Sequence, residues 1–240
     1  MVKIAICGCA GKMGARILYF AEKDKQISVT LGLEAKGHPC VGSKMGSGEV
    51  SDNCDDVAQA DVIIDFTSPE ATMEHLDAAV RCGKAIVIGT TGLSDAQLAK
   101  IKEASAKIPV VQSPNMSIGV NLLFRLVKEA AEKLSGDYLV RMVEAHHIHK
   151  KDSPSGTAKK LAQIIKESSM KEVGDIKSIR EGEIVGDHKV TFESPYDIIE
   201  LSHSAKTRDI FAKGAIAAAK FVAGKKPKLY DMQDVLGAAK

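Results

Sequence analysis

Lys3-Ile-Ala-Ile-Cys7 runs straight into Gly8-Cys-Ala-Gly11-Lys-Met-Gly14, and that turn leads into a segment carrying Ile17, Leu18 and Ala21. The first piece is a short apolar run of the kind buried in a parallel sheet. The last has the spacing of a helix. Strand, glycine turn and helix together form a cradle for a dinucleotide pyrophosphate. The first glycine allows the tight turn, and the second lets the backbone approach the phosphates. The third lets helix and strand pack closely, and the helix N-terminus faces the anion. The spacing here is G-x-x-G-x-x-G, and on the glycines alone a turn without a ligand stays open.

The flanking sequence favours the cradle. Ile27-Ser-Val-Thr-Leu-Gly-Leu-Glu34 predicts a second strand, ending in an acid twenty positions after Gly14. A carboxylate there is placed to accept hydrogen bonds from an adenosine ribose. It also repels a 2′-phosphate, while Lys36 and Lys44 could pair with one. NADH is therefore expected to be well used, with NADPH open.

Further along, apolar runs and helical patterns alternate. Asp61–Phe66, Ala85–Ile88 and Pro109–Gln112 predict buried strands. Pro69 and Ser94 mark helix starts, with Thr67 or Ser68 capping the first. The stretch 37–51 reads as a loop. This alternation predicts a Rossmann-type, doubly wound parallel sheet. Ligands of such sheets bind beyond the carboxyl ends of the strands, where Phe66-Thr67, Gly89-Thr90-Thr91 and Ser113-Pro114-Asn115-Met116 fall.

A helical pattern over 118–133 leads into the second part, another follows over about 154–168, and after that the period changes to two. Tyr138–His146 is strand-like, and 176–180, 184–193 and 197–204 look like antiparallel strands. A helix over 207–223 is Ala-rich and apolar. The chain is thus α/β. Residues 1–117 with 207–240 form a dinucleotide-binding domain, and 118–206 an inserted α+β substrate and oligomerisation domain with an open mixed sheet.

The bulk numbers narrow the function classes. A chain of 240 residues with net charge +2 and no tryptophan offers no general attraction for nucleic acid or anionic membrane. No apolar stretch approaches a membrane span. The cysteines, Cys7, Cys9, Cys40, Cys54 and Cys82, lack paired spacing. That argues against a disulfide framework or zinc site and for a cytoplasmic protein.

The chemistry gathers in Glu144-Ala-His-His-Ile-His-Lys-Lys-Asp-Ser-Pro-Ser-Gly-Thr157. Ser153 is expected as the N-cap and Pro154 as the first residue of the following helix. The backbone N–H groups of Gly156 and Thr157, with Lys150 beside them, would grip a carboxylate or phosphate. A histidine there can exchange a proton near neutral pH. His147 and His149 could form one side of a metal site, but no second ligand cluster completes it, so no metal is expected.

These residues resemble the signature of the dihydrodipicolinate reductase family. The similarity extends over Gly8–Gly14, 65–70, 89–92, 115–121 and 178–188. It implies reduction, with NADH or NADPH, of a small cyclic dicarboxylate to tetrahydrodipicolinate by a homotetramer. It implies that His146 donates or accepts the proton, with Lys150 a second candidate donor. His147, Lys150, Gly156 and Thr157 then match substrate-binding positions. Gly8, Cys9, Ala10, Gly11, Lys12, Met13, Glu34, Gly89, Thr90, Thr91, Ser113, Pro114, Asn115 and Met116 match cofactor contacts. Many members carry a basic residue after the ribose acid, where this chain has Ala35.

Overall fold

Neighbouring residues of the first strand face opposite sides of a sheet, and both sides are apolar. Ile4 and Ile6 pack with Ile17, Ala21 and a row of alanines from a late helix. Ala5 and Cys7 pack with Leu76, Ala79 and Ile101 on the other side. A strand buried on both faces needs helices above and below it, which is why it reads as a continuous apolar run. Truncating Ile4 or Ile6 to alanine would cost about 2–5 kcal/mol.

The computed structural model describes residues 1–134, 136–169 and 172–238. The chain forms two compact units, 1–116 with 211–240, and 117–210. In chain order the elements begin β1 (Val2–Cys7), α1 (Lys12–Ala21), β2 (Ile27–Leu33), β3 (Lys44–Met45) and β4 (Gly48–Ser51). They continue β5 (Val62–Asp65), α2 (Pro69–Cys82), β6 (Ala85–Ile88), α3 (Asp95–Ala104) and β7 (Pro109–Gln112). The second unit holds α4 (Ile118–Lys133), β8 (Leu139–His146), α5 (Gly156–Ser169), β9 (Asp175–Arg180), β10 (Asp187–Glu193) and β11 (Ile198–Ser204). The chain closes with α6 (Asp209–Val222), β12 (Lys228–Tyr230) and α7 (Met232–Ala238).

The first unit's sheet has the order β12-β7-β6-β5-β1-β2-β4-β3. All neighbours are parallel except the β3–β4 hairpin. β1 lies between β2 and β5, so the strand order reverses beside it, and the glycine turn leaves β1 at that switch point. The α6 alanines Ala212, Ala215, Ala218 and Ala219 are fully buried against this sheet. Ser68 caps α2 ahead of Pro69, and Ser94 with Gln97 forms a capping box at α3. The stretch read as a loop contains β3 and β4. β4 pairs with β2 mainly through backbone register, Leu31 opposite Glu49 and Leu33 opposite Ser51. Its side chains show too little alternation to reveal it.

The second unit's sheet has the order β11-β10-β8-β9. Val140 and Met142 of β8, with Val190 and Phe192 of β10, pack under Leu123 and Val127 of α4 and Leu161 and Ile165 of α5. β10 is antiparallel to both β8 and β11, but β9 is parallel to β8. The sheet is mixed, as expected, and β9, β10 and β11 alternate in direction. β9 pairs with β8 rather than with β10, and in parallel, because the helical crossover through α5 returns the chain in the same direction.

Candidate active site

In the first unit the glycine turn has the geometry a dinucleotide needs. Gly8 has φ 67°, a conformation that L side chains rarely adopt. At Gly14 an added Cβ would lie 2.2 Å from the carbonyl oxygen of Gly8, so only glycine lets α1 start this close to β1. α1 starts at Lys12, with Gly11 as an N-cap that has no side chain to offer, so the first backbone N–H groups remain for an anion. The register sets Leu33 beside Cys7. Glu34 therefore sits next to the turn, where one carboxylate oxygen accepts from Ala10 N–H at 2.7 Å and the other from Ala35 N–H at 3.3 Å. Gly11, Lys12 and Ala10 are exposed, and Met13 is half-buried. The Cys9 thiol is pushed up to about 12, by burial first and then by Glu34, so it stays protonated. An acid beside an uncapped helix start over a glycine cradle fits a nicotinamide dinucleotide.

The other expected contacts lie at neighbouring strand ends. Gly89 and Thr90 follow β6 and are buried, while Thr91 is exposed. The Thr90 hydroxyl points inward and donates to Asp65 at 2.8 Å, so only its backbone remains for a ligand. Ser113 folds its hydroxyl onto the Asn115 carbonyl at 2.9 Å. Pro114 is exposed, and Met116 is buried in the core.

In the second unit a polar row continues the apolar face of β8 to its carboxyl end. Glu144 and His146 lie two apart and so share a face. Strand register sets His188 and Ser178 opposite Glu144, and Arg180 opposite His146. Glu144 is fully buried. One of its oxygens accepts from Arg180 Nη2 at 2.8 Å and from the Ser155 N–H at 3.4 Å. The other is bonded to His146 Nδ1. Arg180 also donates to the Asp152 carbonyl at 2.6 Å, tying the loop before α5 to the row. His188 packs edge-on to His146, with ring centres 5.1 Å apart. Its Nε2 lies 3.2 Å from the Ser155 hydroxyl, and its Nδ1 has no hydrogen-bond partner among the described residues.

The electrostatics follow from burial. Burial alone would push the Glu144 carboxyl up, but the donors on Arg180 and His146 outweigh it and hold it below its usual range. Burial holds His146 below its ordinary value, and Lys150 and Arg180 add to that, while Glu144 pulls the other way. Burial and the neighbouring His146 push His188 down to about 4. With Nδ1 engaged by an ionised carboxylate, the neutral His146 ring carries its proton there. Nε2 is left as the nitrogen available for chemistry. An added Cβ at Gly186 would approach that Nε2 to 3.1 Å, so this glycine keeps space beside it.

The N-terminus of α5 differs from expectation. Ser155, not Ser153, caps the helix, its hydroxyl accepting from Ala158 N–H at 3.2 Å. The helix starts at Gly156, so Pro154 precedes it. Bonds from Ser155 to Glu144 and His188 draw that residue inward and set the helix start there. Nothing lies within 4 Å of a Cβ added at Gly156, so the space over this helix start is open. Lys150 is paired with Asp152 at 2.7 Å. The Asp152 carboxyl is held below its usual range, by Lys150 above all, with the Gly156 backbone a smaller contributor. An internal carboxylate thus sits where an anionic ligand was expected. Thr157 is half-buried on the first turn. His147 has Nε2 3.5 Å from Arg208, and His149 is exposed, 4.0 Å from Glu183.

Glu144, Arg180 and His188 lie in stretches the sequence singles out but carry no role there, while Ser155 reads only as part of a capping run and Gly186 only as a turn residue. The available signal was charge in strands otherwise facing a core. Glu144 shares the phase of Val140 and Met142, and a buried-phase acid demands a partner.

Comparisons with known proteins match both units. The model of the dihydrodipicolinate reductase N-terminus matches residues 2–116, and that of its C-terminus residues 119–236. The chain is 43% identical over 266 aligned residues to 4-hydroxy-tetrahydrodipicolinate reductase of Syntrophus aciditrophicus (strain SB), covering 99% of each chain. It is 40% identical over 266 residues to the same enzyme of Geotalea daltonii (strain DSM 22248 / JCM 15807 / FRC-32), again covering 99% of each. Dipicolinate-bound dihydrodipicolinate reductase from Paenisporosarcina sp. TG-14 shares the fold, with TM-score 0.83 and 24% identity over 98% of both chains. With a dinucleotide cradle in one unit, a buried carboxylate–histidine pair in the other and full-length matches to both, the chain belongs to the dihydrodipicolinate reductase family of oxidoreductases.

Proposed function

We propose that this chain reduces 4-hydroxy-tetrahydrodipicolinate to tetrahydrodipicolinate, the reduction step of the diaminopimelate route to lysine. Net, the ring takes up a hydride and a proton and releases water. A bound nicotinamide dinucleotide supplies the hydride. The protein's own residues hold the dicarboxylate and manage the proton. The observation that carries this reading is the Glu144–His146 pair beside the open start of α5.

Glu144 fixes the His146 ring and stabilises it when it is charged, so His146 can deliver a proton from Nε2. Lys150 leaves Asp152 for a substrate carboxylate, which also meets the N–H groups of Gly156 and Thr157. His147 and its neighbour Arg208 complete the anion-binding side. Lys150 is the second candidate for the proton. His146→Gln separates the two roles, since it should lower kcat by about 10²–10⁴-fold with little change in NADH affinity. Equal losses in kcat and NADH affinity would remove His146 from the chemistry.

Residues Gly8–Met13, Glu34, Gly89–Thr91 and Ser113–Met116 form the cofactor side. NADH is expected to be well used, because Glu34 repels a 2′-phosphate and Ala35 supplies no adjacent cation, while Lys36 and Lys44 leave NADPH open. The deciding experiment feeds the product of the preceding synthase to the protein with NADH or NADPH and follows nicotinamide absorbance. Oxidation that depends on that product supports the reading. Oxidation with aspartate alone, or binding without turnover, would reject it. A cytoplasmic homotetramer built through residues 118–206 is the assembly the resemblance favours, and native mass spectrometry tests it.

A further inference from the structure

β5 ends in a carboxylate with no access to solvent. Asp65 is 0% exposed, in a strand that is otherwise Val62, Ile63 and Ile64. One of its oxygens accepts from Thr67 N–H at 3.0 Å, Thr67 hydroxyl at 2.8 Å and Thr90 hydroxyl at 2.8 Å. The Thr72 hydroxyl of α2 lies 3.1 Å from the same oxygen and 2.9 Å from that of Thr90. The other oxygen meets His75 Nδ1, also from α2, at 2.5 Å. The Asp65 carbonyl accepts from Gly89 N–H at 2.9 Å. One residue thus gathers the loops after β5 and β6 onto helix α2.

These loops touch the glycine turn. An added Cβ at Gly8 would lie 2.9 Å from the Thr67 methyl, and one at Gly89 would lie 2.2 Å from the Phe66 ring. Side chains of the loop after β5 therefore pack against the glycines after β1 and β6, and a shift of Thr67 is felt at Gly8. Burying a carboxylate costs more than burying an apolar residue of its size. An apolar residue there would leave Thr67 and Thr90 without their common acceptor. Cys7, Asp65 and His75 also offer ligand atoms within 4.8 Å of one another, as a metal site would. The Asp65 oxygens, however, are already taken by protein donors, and burial keeps the Cys7 thiol protonated.

We propose that Asp65 and His75 are positioning residues for the dinucleotide, setting the loops at Thr67 and Gly89–Thr90 against the glycine turn without touching the cofactor. The inference rests on reading the glycine turn as a dinucleotide site. The test uses the full-length Asp65→Asn, His75→Gln and Thr72→Val proteins, titrated with NADH by fluorescence and assayed in steady state. Thr72→Val is isosteric and removes a single donor, so it guards against misfolding of the other two. In each variant NADH Kd and KM should rise on the order of tenfold, the loss expected when hydrogen bonds to a charged group are broken. kcat and the KM for the cyclic substrate should stay within about twofold, because the cluster is buried within the first unit and the proposed proton-handling residues belong to the second. Thr72→Val and His75→Gln proteins that melt earlier yet bind NADH like the parent would make the network structural only and overturn the inference. So would stoichiometric zinc in the parent protein that Asp65→Asn loses. A parent protein that binds neither NADH nor NADPH would reject the underlying reading as well, which separates the two failures.

Discussion

Replacing Glu144 by glutamine tests the site at its most constrained point. The carboxylate is fully buried and shared between Arg180 and His146. Truncation to alanine would strand the Arg180 guanidinium and cost about 3–5 kcal/mol of stability. Glutamine has the same shape and keeps one oxygen for Arg180, so the loss should be smaller and the protein should fold. Its NH₂ group then faces His146 Nδ1–H, two donors with nothing between them. The ring must move its proton to Nε2 or turn away, and the amide no longer stabilises the charged ring. General acid catalysis contributes about 10²–10⁴-fold, so kcat should fall within that range. Glu144 raises the pKa of His146, so the limb set by that histidine should also move to lower pH. The assay is NADH oxidation with synthase product across pH, with melting temperature and NADH affinity as controls. Glu144→Asp keeps the charge and should recover part of the rate. A folded Glu144→Gln protein with kcat within about threefold of the parent and an unmoved pH profile would refute this account.

Three further outcomes follow from the same geometry. If His146 donates the proton, kcat/KM is full below its pKa and lost as pH rises through it, and that pKa is held below the ordinary histidine value. A profile that is flat through that region would remove His146 as the proton donor. His188 is held near 4 by burial. Its unfolded form takes up a proton at about 6.5, so its stability contribution is full above that value. It declines as pH falls from there to about 4, by up to about 3 kcal/mol, and His188→Gln should flatten that part of a denaturation-against-pH curve. Asp152 holds Lys150 at 2.7 Å, and Asp152→Asn should free it. KM for the dicarboxylate should then fall by up to about fivefold, the worth of a part-exposed ion pair, and a raised KM would mean that Asp152 helps to hold the substrate.

Much of this protein is legible without coordinates. The glycine turn after Lys3–Cys7 is largely a local device, since the positive φ of Gly8 and the approach of Gly14 to Gly8 and Cys9 involve residues close in the chain. The same holds for the caps at Ser68 and Ser94, and for the strands whose apolar runs pass through the core. Histidines, lysines and a helix start are likewise adjacent in sequence from His146 to Thr157. What only the tertiary structure decided is pairing between distant segments. β9 runs parallel to β8 because α5 carries the chain back across the sheet, and this brings Arg180 beside Glu144 and His146. β10 brings His188 opposite them from more than forty positions away. Ser155 became the cap because those strands draw it inward. Asp65 gathers the loops after β5 and β6 onto α2 because β5 and β6 lie side by side. Local propensity depends on neighbours in the chain, whereas the partner of a buried charge depends on strand register, and register is set by the packing of the whole sheet.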